Sequence, residues 1–295
     1  MSYDLFFHSK KPPTVAAMKA YFKKQPHFTI HDKRAGYENE VTGVYFGFDF
    51  LDEPDEGRAP VAFNLNYFRP HVFGLEAEPA VTAFVAEFKL GIQDPQSEGM
   101  GDGPYSPEGF LRGWNAGNRF GHRAIMSHES APTPLTLPQA KVEGMWRWNR
   151  GKEHAMEYLM DNIGDVPPCF VPTVMPMQTA ETEVKTLVIW DSEMAVAIPD
   201  VDLVLTIDDE GSAMVVPTSD ALGILKVHST WAPDHDFGLG HRTGLQAWLV
   251  DTVPAATTKK FRAACRPFKP IARLRPDEVL DAELVAEAHA KKKKS

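Results

Sequence analysis

The run Val44-Tyr45-Phe46-Gly47-Phe48-Asp49-Phe50 puts an apolar side chain at every second position. A period of two marks a strand with one face buried and the other wet. The alternation returns after the acidic turn Asp52-Glu53-Pro54-Asp55-Glu56-Gly57. There Phe63, Leu65 and Tyr67 face one way, and Ala62, Asn64 and Asn66 the other. Strands of this kind joined by a polar turn pair antiparallel, and they leave one apolar face that another layer must cover.

The neighbouring sequence supplies that layer. Thr14 is a helix N-cap, and Val15, Met18 and Phe22 follow at helical spacing, which predicts a helix over 14–24 that ends before Pro26. Val81, Phe84, Val85 and Phe88 predict a second helix over 79–90, with Pro79 in its first turn and Gly91 beyond its end. With strands at 3–7, 28–31, 44–50, 61–68 and 92–95, this gives an α+β plan related to the ferredoxin-like sandwich.

Residues 96–140 are rich in Gly, Pro and Ser, with one helical turn at 110–115. Three prolines between Ser130 and Pro138 mark a linker. The expected organisation is an α+β domain over 1–130 and a β-rich domain over 141–295. The alternative is one continuous domain carrying a long surface loop. In the second half a helix is expected at 141–160, with strands at 184–190, 194–198, 202–207, 214–216, 224–229 and 245–250. A C-terminal helix is expected over 276–292. Links of two to six residues imply mostly antiparallel pairing with flanking helices.

Composition narrows the function classes. The chain is 43% hydrophobic, enough for a core without metal or disulfide staples. Its longest apolar runs, such as Leu187 to Trp190, fall far short of the ~20 residues that cross a bilayer. The two cysteines, Cys169 and Cys265, fit neither a metal motif nor a disulfide framework. A cytoplasmic protein with no membrane contact and no cofactor is expected. Residues 131–258 carry 18 acidic and seven basic side chains, whereas 259–295 carry five acidic and 11 basic. An acidic surface steers basic partners inward and repels nucleic acid.

Walker, dinucleotide-binding, Gly-x-Ser-x-Gly and His-Glu-x-x-His signatures are absent. The segment from His228 to His241, with His235 and Asp236 between, has the donor types for a divalent metal, although its spacing matches no ligand signature. The bland reading is a solvated loop. Trp114-Asn115 through His122-Arg123 reads as a Gly-rich loop that holds an anion or satisfies its own backbone. Trp146-Arg147-Trp148-Asn149-Arg150 reads as arginine packed on tryptophan, and Cys169 as a buried thiol.

Ser2 to Phe7, Tyr37 to Phe46, Asn66-Tyr67-Phe68-Arg69-Pro70 and Asp94-Pro95-Gln96 together resemble a group of bacterial cytoplasmic proteins. These accompany polymorphic toxin systems as immunity proteins. The resemblance covers about the first 120 residues and has no catalytic motif. It implies a binding protein that neutralises a cognate toxin by direct contact, with a basic toxin as partner. Asp208, Asp209 and Glu210 are the candidate contact residues, against a solvated turn. A metal-dependent enzyme using His228, His235, Asp236 and His241, or a structural component of a larger assembly, are the alternatives.

Overall fold

In the computed structural model, the alternation at 44–50 is one strand of a seven-stranded antiparallel sheet. The structure describes residues 1–52, 57–96, 98–128, 130–131, 133–162, 169–191, 194–232 and 246–292. The chain is α+β and divides into two compact units, Met1–Pro134 with Leu280–Ser295, and Leu135–Val279.

The first unit contains β1 (Ser2–His8), α1 (Val15–Phe22), β2 (Phe28–Ile30), β3 (Arg34–Asn39), β4 (Val44–Phe50) and β5 (Arg58–Asn66). After these come α2 (Val72–Phe88), β6 (Gly91–Asp94), β7 (Gly101–Gly103) and α3 (Pro107–Met126). The sheet order is β2-β3-β4-β5-β1-β6-β7. Tyr3, Leu5 and Phe7 of β1 are fully buried beneath the helices. Phe84 of α2 meets Phe7, Phe22 and Phe48 at centroid distances of 5.3, 5.2 and 4.8 Å. Each buried ring contributes about 1.5–3 kcal/mol by burial alone. The other face is polar: Asn64 Nδ2 donates to Asp4 Oδ1 (2.6 Å), and Arg34 pairs with Asp49 (3.1 Å).

Three buried carboxylates cross-link the first unit, and one of them, Glu76 of α2, ties the helical layer to the sheet. Glu76 accepts from Tyr37 Oη (2.6 Å), Asn39 Nδ2 (2.9 Å) and Thr42 Oγ1 (3.1 Å). Asp94 accepts from Tyr3 Oη (2.7 Å) and from the backbone of Gln96 and Met100. Asp281 accepts from the His71 backbone N–H and from His71 Nδ1, both at 2.7 Å. Each is 4% exposed or less, so the bonds offset a desolvation that would otherwise be costly.

The second unit runs through β8 (Leu135–Leu137), α4 (Gln139–Asn162), β9 (Met175–Gln178), β10 (Val184–Ile189), β11 (Val196–Pro199), β12 (Leu203–Ile207) and β13 (Ala213–Pro217). It continues through α5 (Thr218–Leu225), β14 (Ser229–Ala232), β15 (Ala247–Val250), α6 (Ala255–Ala264), β16 (Arg266–Pro267) and β17 (Ala272–Arg273). One sheet has the order β16-β13-β12-β10-β9-β17, another β11-β15-β14. The core gathers Trp148 of α4, Val188, Trp190, Val196, Ile198, Val204, Val216 and Phe261. The six-stranded sheet must curl. Its outer strands lie five spacings apart, about 24 Å if flat, but the five residue steps from Pro267 to Ala272 reach only about 17 Å. Curling puts Met177, Leu187, Leu205 and Phe268 together in a small apolar cluster of their own.

The structure corrects several expectations. α2 begins at Val72, so Pro79 lies inside it. Pro79 is exposed, where solvent can take up the carbonyl its ring frees. The 96–140 region is not mainly loop, because α3 spans 20 of its residues, Pro107–Met126. Residues 218–225 are helical, and the next strand begins only at Ser229. β10 and β12 pair in parallel, since β11 between them leaves for another sheet. β18 (Val279–Asp281) precedes α7 (Ala282–Lys292), so the C-terminal helix is shorter than 276–292. That helix belongs to the first unit, because Leu280, Val285 and Ala288 pack with Met126 and Phe68.

Candidate functional site

α3 lines a concave surface of the first unit. Ser106 caps it by accepting the Gly109 N–H (3.1 Å), and Pro107 and Glu108 suit its first turn. Glycines recur at 113, 117 and 121 on one face. A Cβ at Gly117 would stand 2.1 Å from the Tyr67 hydroxyl, and one at Gly121 would stand 2.9 Å from the Tyr67 Cβ. The helix gives up propensity so that it can lie against this tyrosine.

That close approach fixes the turn between β5 and α2. Phe68 has φ of 61°, which is unusual for a residue with a large side chain. Asn118, 1% exposed, holds the turn by accepting the N–H groups of Phe68 (2.8 Å) and Arg69 (3.2 Å) while donating to the Arg69 carbonyl (2.8 Å). His122, one turn later and fully buried, lies 2.9 Å from the Asn118 carbonyl through Nδ1. A carbonyl only accepts, so Nδ1 carries the proton. Burial holds the imidazole below its ordinary pKa. The segment read as an anion-holding loop is therefore helix interior, with its amide and imidazole committed to the core.

Beside this turn a cleft of about 770 Å³ is lined by Tyr67, Gln96, Glu98, Arg119, Phe120 and Arg123. Phe120 is 56% exposed. Glu287 of α7 forms long ion pairs with Arg119 (3.7 Å) and Arg123 (4.0 Å). Burial raises the Tyr67 pKa, so its hydroxyl stays protonated. An exposed aromatic between arginines on a rigid helix has the composition of a docking surface.

In the second unit, Asp208, Asp209 and Glu210 form the turn between β12 and β13. Asp208 Oδ1 accepts the N–H groups of Glu210 (3.0 Å) and Ser212 (2.7 Å), so it shapes the turn. Asp209 pairs with Arg262 (2.9 Å) while 90% exposed. Glu210 is exposed and makes no ion pair among the described residues. Of the proposed metal donors, His228 lies in a 3-10 turn with Nε2 3.3 Å from Thr257 Oγ1. His235, Asp236 and His241 lie outside the described residues. Among the described residues no group of three His, Cys, Asp or Glu side chains is placed to hold a metal.

Arg147 and Arg150 lie over the Trp146 ring at 5.7 and 5.6 Å, the packing expected of that cluster. Cys169 is partly buried, and desolvation pushes its thiol up to about 11, the opposite of an activated nucleophile.

The surface charge of the second unit is more informative than any single group. Glu181, Asp200, Glu210, Asp220 and Asp251 are exposed, and none has a cationic partner among the described residues. No helix among the described residues is long and apolar enough to cross a membrane. Comparison with protein-family models, curated proteins and solved structures finds no match.

Proposed function

We propose that the chain is an immunity-type binding protein that acts in the cytoplasm and neutralises a cognate bacterial toxin by direct contact. The observation that carries this reading is the set of exposed, uncompensated acids on the second unit. Asp200, Glu210, Asp220 and Asp251 lie on turns, at a helix start or after a strand end. Positions fixed in this way hold charge in place with little ordering cost on binding. Such a field speeds the approach of a basic partner and disfavours acidic ones.

The test combines Asp200→Lys, Glu210→Lys, Asp220→Lys and Asp251→Lys in one variant. Tagged wild-type protein from its native cells is expected to retain a stoichiometric basic protein, whose toxicity co-expression suppresses. The variant is expected to fold normally by circular dichroism, bind at least about a hundredfold more weakly at low salt and lose protection. A captured partner indifferent to both salt and charge reversal would remove the acidic surface from the reading. A partner that is not toxic would remove the immunity role.

A further inference from the structure

The last part of the second unit carries charge of the opposite sign. Between Lys259 and Arg275 there are seven cationic side chains and no acidic one. Arg262 is paired with Asp209, and Arg275 with Asp277 at 3.2 Å. Lys259, Lys260, Arg266, Lys269 and Arg273 make no ion pair among the described residues.

The backbone sets part of this charge in a row. From Phe268 to Arg275 exposure alternates. Phe268 packs on the Met177, Leu187 and Leu205 cluster, and Leu274 is 8% exposed. Lys269, Ile271, Arg273 and Arg275 point outward and are exposed. An extended chain advances about 3.3 Å per residue, so outward side chains recur about every 6.6 Å. β17 pairs with β9 on one side and ends its sheet, so no described strand occupies its other side. Pro267, Pro270 and Pro276 stiffen the strap, which limits the entropy lost when it is engaged.

We propose that this strap binds an extended acidic segment of a partner protein, laid along β17 with carboxylates at alternate positions. The spacing of Lys269, Arg273 and Arg275 matches side chains on one face of a strand. The free side of β17 offers that strand a place to pair. A second copy of the same strap is excluded as the occupant, because like charges repel edge to edge. Single-stranded nucleic acid is disfavoured. The outward positions hold no aromatic ring on which a base could stack, and the chain carries a net charge of −9. The strap is opposite in sign to the surface assigned to the toxin, so the two proposals stand or fall separately.

The test uses the full chain and three fluorescent probes, read by anisotropy in low salt. One is a short peptide with Glu at alternate positions and β-branched residues between. The second is its composition-matched isomer with the Glu residues contiguous, and the third a short oligothymidylate. The alternating peptide is expected to bind saturably and tightest of the three. The double variant Lys269→Glu, Arg273→Glu is expected to weaken it at least about tenfold. The same variant is expected to acquire binding to a peptide with Lys at alternate positions, a gain that misfolding cannot produce. Equal binding of the two acidic peptides, tighter binding of the oligothymidylate, or full binding by the variant would each overturn the proposal. So would an absence of saturable binding by the wild type.

Discussion

Replacing Asn118 by Ala tests whether one side chain holds the turn between β5 and α2. The amide makes three hydrogen bonds to the backbone of Phe68 and Arg69, two of them at 2.8 Å. Each bond contributes about 1 kcal/mol net, and leaving its buried partner unmet costs about 1–3 kcal/mol. The turn also holds Phe68 in the left-handed region, a conformation that costs about 1–2 kcal/mol and persists only where its surroundings enforce it. Part of the loss is recovered if water reaches the freed groups, so the net destabilisation is expected near 3 kcal/mol. The assay is urea unfolding together with hydrogen exchange at the amides of Phe68 and Arg69. Both amides are expected to lose protection, and the first unit is expected to unfold at lower urea. Asn118→Asp keeps the two acceptor bonds but sets a buried carboxylate oxygen against the Arg69 carbonyl, so it is expected to destabilise at least as much as Asn118→Ala at neutral pH. A loss below about 1 kcal/mol for Asn118→Ala, with exchange unchanged at both amides, would refute the clamp.

Two further outcomes follow from the same unit. Lys89 closes α2 in the left-handed conformation, with φ of 51°, and its side chain is exposed, so Lys89→Gly is expected to stabilise by about 0.5–1 kcal/mol in urea melts. His122 has its pKa lowered by burial, so the folded state holds it neutral while the unfolded chain takes up a proton below about pH 6.5. Stability is therefore retained above that pH and lost as pH falls, with a slope from this group of up to about 1.4 kcal/mol per pH unit. His122→Gln is expected to flatten that part of the profile when unfolding midpoints are compared between pH 7.5 and 5.5.

The strands of the first unit could be read from the chain because their signal is local. Phe46, Phe48 and Phe50 alternate whatever packs above them. α3 could not, because its glycines match a loop by composition. Only the distant Tyr67 shows that Gly117 and Gly121 are contact positions. Pro79 misled in the same way, since its tolerance inside α2 depends on which side of the helix meets solvent. The acidic turn at 208–210 was legible as a turn, but the internal use of Asp208 and Asp209 depends on Ser212 and the remote Arg262. The basic excess near the C-terminus was visible as a count. Its arrangement as a row was hidden, because the partners that turn Phe268 and Leu274 inward come from strands far earlier in the chain.

The return of α7 to the unit begun by β1 fixes an order of events during synthesis. The first unit is made first and completed last, since residues 135–279 must be translated before its closing helix exists. At about 5–20 residues per second that delay is roughly 7–30 s. Throughout it, Phe68 and Met126 lack the apolar cover of Val285 and Ala288. The second unit needs no such wait. The nascent chain therefore carries one unit free to finish folding and one with an open seam, which makes that seam the natural place for a chaperone to hold it.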